Sequence, residues 1–148
     1  MTNVTVEVRG IPKIMQGLTV LGAEAPKAVA KGMVEWAEET MGESKEKYCP
    51  VVEGTLRGTG HVTTPHITAA TILVRLGYGG PAAEYALAVH ENPRAGKTGG
   101  ISPQGKKYRA WSTVGQWKYL ETPVKLNEPE AGPTILKWVN RAIRRLAK

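Results

Sequence analysis

The sequence predicts an α+β fold in one domain, residues 1–148. A long helix in the N-terminal half packs on a small, mainly antiparallel sheet, followed by a long loop insertion and a C-terminal helix. Three observations carry this. The stretch Ala23–Tyr48 has one helical period, with Pro26, Val29, Met33, Trp36/Ala37, Met41 and Tyr48 on one face and Ser44 between the last two. Short stretches around Val4–Val8, Thr59–Thr64 and Ile67–Leu76 are rich in β-branched residues. From Asn92 to about Trp117 the periodicity disappears. With 148 residues and a hydrophobic share of 41%, the chain has material for one core.

Thr2–Arg9 alternates Val4, Val6 and Val8 against Thr5, Glu7 and Arg9, the pattern of a strand with one buried face. Gly10-Ile11-Pro12 breaks it, and Pro12 to about Leu21 reads as a short helix. The long helix follows, with Lys27, Lys31, Glu35, Glu38, Glu39, Glu43, Lys45, Glu46 and Lys47 on its solvated side. Pro50 cannot donate a helical hydrogen bond and biases Cys49 out of the α region, so the helix stops at about Tyr48. Gly54 then supplies a turn, and Leu56 begins extended chain. Thr59–Thr64 and Ile67–Leu76 form an antiparallel hairpin interrupted at Pro65-His66. Gly77-Tyr78-Gly79-Gly80-Pro81 reads as a turn or loop, and Ala82–His90 as a third strand alternating Tyr85, Leu87 and Val89 with Glu84, Ala86, Ala88 and His90, with entry through a helical turn as an alternative. Thr122-Pro123 ends the irregular region. The last helix starts near Glu128–Pro133 and runs to Leu146, with Ile135, Trp138/Val139, Ala142/Ile143 and Leu146 as its apolar stripe.

Net charge is +7, unevenly placed. Up to Gly60 there are seven Lys/Arg against eight Glu; from His61 there are thirteen against five. Such an asymmetry attracts polyanions or an acidic protein surface. The chain has no Asp, which removes mechanisms built on an aspartate nucleophile or an Asp-held magnesium cluster. One cysteine excludes an internal disulfide and a multi-cysteine metal site. No apolar run approaches the roughly 20 residues that span a bilayer, and Met1-Thr2-Asn3-Val4 lacks the look of a signal peptide.

The chain offers little for catalysis. Gly96-Lys97-Thr98 resembles the end of a phosphate-binding loop, but Glu91 stands where the first glycine belongs, and Gly99, Gly100 and Pro103 preclude the helix that should follow. His61, His66 and His90 lack the spacing of a helical zinc motif. Cys49 sits at a helix C-terminus, the wrong dipole sign for an activated thiolate, and reads as a buried or half-buried small residue. No catalytic, cofactor or metal site is expected.

The loop stands out. Arg94, Lys97, Lys106, Lys107, Arg109 and Lys118 occur with no acid between Glu91 and Glu121, and Tyr108, Trp111, Trp117 and Tyr119 sit among them. One reading is an arm that docks on a neighbouring subunit, with tryptophans as anchors. A second is nucleic-acid binding, cations on phosphates and Trp111 or Trp117 stacked on bases. A third is a plain solvated loop. The last helix adds a basic face of Lys137, Arg141, Arg144 and Arg145, and Arg57 at the strand entrance is a candidate subunit contact.

Four segments, in this order, resemble the small tail-completion or head–tail joining (neck) proteins of tailed bacteriophages. They are Cys49-Pro50-Val51-Val52-Glu53-Gly54-Thr55-Leu56-Arg57 closing the long helix, the hairpin after it, Tyr85-Ala86-Leu87-Ala88-Val89-His90-Glu91, and Tyr119-Leu120-Glu121-Thr122-Pro123-Val124 before the last helix. The likeness covers most of the chain. Val52-Glu53-Gly54 departs from the family's usual Asp-Thr-Gly or Asp-Glu-Gly, and there is no Phe for its late Pro-Phe pair. The resemblance implies a non-enzymatic virion protein, made in the host cytoplasm, that forms a homo-oligomeric ring, commonly a hexamer, at the head–tail junction or tail top. Its partners would be other neck, connector and tail proteins, with double-stranded DNA passing through unread. It implies no cofactor and no membrane. The alternative is a basic nucleic-acid-binding protein using the 92–119 loop and the C-terminal helix. The arm, Arg94, Lys97, Lys106, Lys107, Tyr108, Arg109, Trp111 and Trp117, is expected to order only on assembly.

Overall fold

The computed structural model describes residues 4–9, 22–51, 54–93, 95, 100–101, 107–108 and 115–146. Its main sheet has four antiparallel strands: β1 (Val4–Arg9), β2 (His61–Val62), β3 (His66–Ile67) and β4 (Ile72–Tyr78). β4 is central, with β1 along one edge, from Val4 opposite Tyr78 to Arg9 opposite Leu73. β2 and β3 share the other edge. Strand alternation sends Ile72, Val74, Leu76 and Tyr78 to one face, where all four are fully buried. Val4 joins them, while Thr5 and Glu7 face out.

The hairpin forms, but its reversal lies elsewhere than expected. Pro65-His66 does not turn the chain. Residues 63–65 there oppose 74–75, an extra residue on one strand and therefore a bulge. Pro65 is tolerated because a bulge needs no ladder donor from it. Thr63 fills the gap, its N–H donating to Arg75 O at 2.8 Å and its Oγ1 accepting from Arg75 N at 3.0 Å. The chain reverses at Thr68–Thr71, where Thr68 Oγ1 accepts from Thr71 N at 3.0 Å and Thr68 N donates to Thr71 O at 2.8 Å. The run read as one strand, Ile67–Leu76, is thus folded back on itself, and β4 continues to Tyr78 through residues expected in a loop.

The long helix is present as α1 (Glu24–Glu43), closed by a π-helical turn at Ser44–Tyr48. Cys49 is extended at φ −72° and ψ 121°, as the following proline requires. The buried arc is wider than one stripe and takes in Ala25, Ala28, Ala30, Gly32 and Thr40 besides Val29, Met33, Trp36, Ala37 and Met41. The reason is that α1 is a middle layer, with the sheet on one side and the C-terminal helix on the other. Pro26 and Tyr48, expected on the inner face, are only half-buried.

Three local expectations are corrected. Gly54 does turn the chain, at φ 80°, but Leu56 lies in a helical turn, α2 (Thr55–Gly58), which buries it against the core. Ala82–His90 is not a strand. After a tight 3-10 turn at Gly80–Ala82, α3 runs over Ala83–Glu91 and buries Ala83, Ala86 and His90, three and four apart. The alternation of Tyr85, Leu87 and Val89 coexists with four alanines, and the helical preference of alanine prevails. The last helix, α4 (Glu121–Leu146), starts well before Glu128 and runs through Pro129 and Pro133. Pro123 falls in the first turn, where no backbone donor is missed. Each interior proline costs an isolated helix about 3 kcal/mol. Here contacts to α1 on both sides of them hold the helix: Trp36 Nε1 donates to Asn127 O at 2.7 Å, and further along Ile135 sits against Gly32. A Cβ on Gly32 would lie 2.5 Å from Ile135 Cα, so only glycine permits this approach.

Within the insertion, β5 (Gly100–Ile101) and β6 (Lys107–Tyr108) pair antiparallel. The short helix expected over Pro12–Leu21 lies outside the described residues.

Candidate assembly interface

The four segments that carry the resemblance meet where α1 ends. Ser44, the first residue of the π-helical turn, is fully buried and sits between two tyrosines. Its Oγ donates to Tyr119 O at 2.6 Å and lies 2.8 Å from Tyr78 Oη. The Tyr78 and Tyr119 rings meet edge to face at 4.9 Å, and Tyr119 Oη donates to Ala86 O in α3 at 2.8 Å. Burial raises the pKa of both phenols, so they stay protonated and keep donating. Cys49 beside them is fully buried, as expected, and burial pushes its thiol up to about 12. A thiol this hard to ionise is a packing residue rather than a nucleophile.

This junction clamps the base of the insertion. On the entry side, Ala95 N donates to Asn92 O at 2.9 Å and Ala95 is buried. On the return side, Gln116 N donates to Tyr48 O and Lys118 N to His90 O, at 2.9 and 2.7 Å. Gly115 has φ 113°, and a Cβ there would lie 2.5 Å from Pro50 Cα. Lys118 takes φ 54°, unusual outside glycine, and an ion network holds it. Its Nζ reaches Glu91 at 2.7 Å and Glu121 at 3.1 Å. Hydrogen bonds from Lys125 and Lys118 hold the Glu121 carboxyl down at about 2; Lys118 and His90 lower Glu91. His90 is buried against Tyr119, with Nδ1 2.8 Å from Glu91 Oε1.

Of the expected arm residues, Arg94, Lys97, Lys106, Arg109 and Trp111 lie outside the described residues. Lys107 and Tyr108 are in β6. Trp117 stands at the clamped base, 42% exposed, with Lys118 Nζ 6.0 Å from its ring. Arg57 turns inward: it is half-buried and Nη2 donates to Cys49 O at 3.5 Å. The junction therefore holds a residue expected to face a neighbour.

The basic face of α4 divides. Lys137 Nζ donates to Glu35 Oε1 at 2.6 Å, Arg145 Nη2 reaches Glu24 Oε2 at 3.5 Å, and Arg141 lies 5.0 Å from the Trp138 ring centre; Arg144 is exposed. Arg141 and Arg145 line a groove of about 260 Å³ together with Lys27 and Lys31 of α1. The α1 half of this groove was not singled out in the sequence, although Glu24, Lys27 and Lys31 follow one another at three and four residues. The buried junction was missed as well; its polar members, Ser44, Tyr78, His90 and Tyr119, are scattered along the chain. Among the described residues no three His, Cys, Asp or Glu are placed to hold a metal, and no helix is long and apolar enough to cross a membrane. No protein-family model, curated protein or solved structure matches the chain.

Proposed function

We propose that this chain is a structural protein of a tailed-phage particle, forming a homo-oligomeric ring at the neck or tail top that joins the head connector to the tail and lets DNA pass. The observation that carries this reading is the junction. The segments that resemble the neck family are far apart in sequence, yet Cys49–Arg57, the hairpin strand ending at Tyr78, Tyr85–Glu91 and Tyr119–Val124 converge on one buried cluster. That cluster grips both ends of a long basic, aromatic insertion. A long basic, aromatic insertion whose flanks are fixed to the body suits a part that is built into an assembly.

The test is the chain's size in solution and its presence in particles. The reading expects a closed oligomer, and a fixed small copy number in purified tailed particles. A strict monomer absent from such particles would overturn it. The second reading, a basic nucleic-acid-binding protein, is favoured by one observation: Trp117 is exposed at the end of a stretch that carries six Lys/Arg and no acid between Glu91 and Glu121. It expects binding to single-stranded or duplex DNA that falls steeply with salt. No binding at low salt removes it.

A further inference from the structure

α1 and α4 pack antiparallel, with Glu24 against Arg145, Glu35 against Lys137 and Glu43 against Asn127. This lays two charge clusters at opposite ends of the helix pair. Stretches 24–31 and 137–146 carry six Lys/Arg and one Glu, whereas 38–47 and 121–130 carry seven Glu and three Lys. The basic end holds the groove lined by Lys27, Lys31, Trp138, Arg141 and Arg145. Lys31 and Arg141 lie over the Trp138 ring, at 5.5 and 5.0 Å from its centre, and among the described residues neither has a carboxylate within 4.0 Å. With both cations over this indole, it is poorly placed to stack on a base. The groove already shows what it takes: the carboxylate of Glu24 is held there by Lys27 at 3.1 Å and, loosely, by Arg145 at 3.5 Å. A concave site of about 260 Å³ admits carboxylate side chains but not the wide rail of a duplex.

The complementary carboxylates are on the chain itself. Glu38 follows Lys31 by seven residues on α1, and Glu130 precedes Arg141 by eleven on α4. Both spacings are within about 20° of a whole number of helical turns, so all four residues share one face of the pair. Glu38 and Glu130 are exposed, and among the described residues neither has an ion-pair partner. We propose that the groove is a self-association site that receives the Glu38 and Glu130 carboxylates of a second copy of this chain, onto Lys31 and Arg141. Opposed charge clusters on one surface guide two copies into a single register and penalise others by like-charge contact. The inference stands on the groove and not on the ring reading.

The experiment measures mass by native mass spectrometry and light scattering at low and high salt. It compares wild type, the groove variant Lys31→Glu/Arg141→Glu, the acid variant Glu38→Lys/Glu130→Lys, and an equimolar mixture of the two variants. The expected result is a salt-sensitive wild-type oligomer, variants each weakened on the order of 100-fold, and a mixture that regains association because the reversed patches again match. Recovery in the mixture also shows that both variants are folded; if either is not, the neutral pair Lys31→Gln/Arg141→Gln must weaken association in the same direction. An oligomer indifferent to salt and to every variant overturns the groove contact and leaves the ring standing. A wild type monomeric at low salt overturns the contact. A reversal-sensitive dimer establishes the contact and removes the ring.

Discussion

The middle of α1 and its C-terminal end are held by different physics. In the middle, α1 lies between the sheet and α4 mainly on shape: Val29, Met33 and Ala37 are buried, Gly32 brings the two helices to backbone contact, and Trp36 Nε1 adds a hydrogen bond to Asn127 O. At the end, Ser44, Tyr78, Tyr119 and His90 add directional bonds, which fix residues 116–119 against α1 and α3. Shape sets how the layers stack. Directional bonds set how the flanks of the insertion are oriented, because a hydrogen bond specifies an orientation that apolar contact does not.

Leu76→Ala in the middle of β4 should have the largest effect. The side chain is fully buried between the sheet and α1, and its loss leaves a cavity costing about 3 to 4 kcal/mol; denaturant unfolding measures it. Gly32→Val should follow at about 2 to 3 kcal/mol, since it forces α1 and α4 apart against Ile135. Ser44→Ala should cost about 2 kcal/mol by leaving the Tyr119 carbonyl unpaired and Tyr78 Oη without its Ser44 contact. Unlike the other two, it should also speed hydrogen exchange at Gln116 and Lys118, whose amides close the base of the arm. Equal protection there in Ser44→Ala and Gly32→Val would erase the distinction between the two regions.

The smallest effect should come from pH. Glu121 is depressed in the fold by Lys125 and Lys118, so its contribution is complete above its ordinary value of 4.5 and is lost as pH falls towards about 2. Lys118 is raised by Glu91 and Glu121, so its contribution is complete below 10.5 and fades as pH rises through its higher folded value. These groups are half-exposed and screened by solvent, so global stability should change little. Trp117 fluorescence should change below about pH 4.5, before the far-ultraviolet signal does; simultaneous loss would mean the clamp is not a separate unit.

The body was largely legible in the sequence because its period was strong: α1, β1 and, of the expected α4 stripe, Ile135, Val139 and Ala142 follow from spacing, whereas Ile143 and Leu146 are exposed. The misread elements were those in which local pattern and tertiary setting compete. In α3, alternating apolar residues masked the Ala83, Ala86, His90 face. In α4, the start was placed near Glu128–Pro133, but the helix begins at Glu121 and the α1 contacts carry it through Pro129 and Pro133. At Thr68–Thr71 a β-branched residue closed a turn through its hydroxyl. The junction was illegible for another reason: no spacing rule links Ser44 to Tyr119, 75 residues apart.

The central claim is that the body is complete without the arm, and that the arm serves assembly. Deleting Gly96–Gly105 and measuring both melting temperature and incorporation into particles tests it most directly. An unchanged melting temperature with lost incorporation is the predicted result. Particle yield and stability equal to those of the intact chain would contradict it.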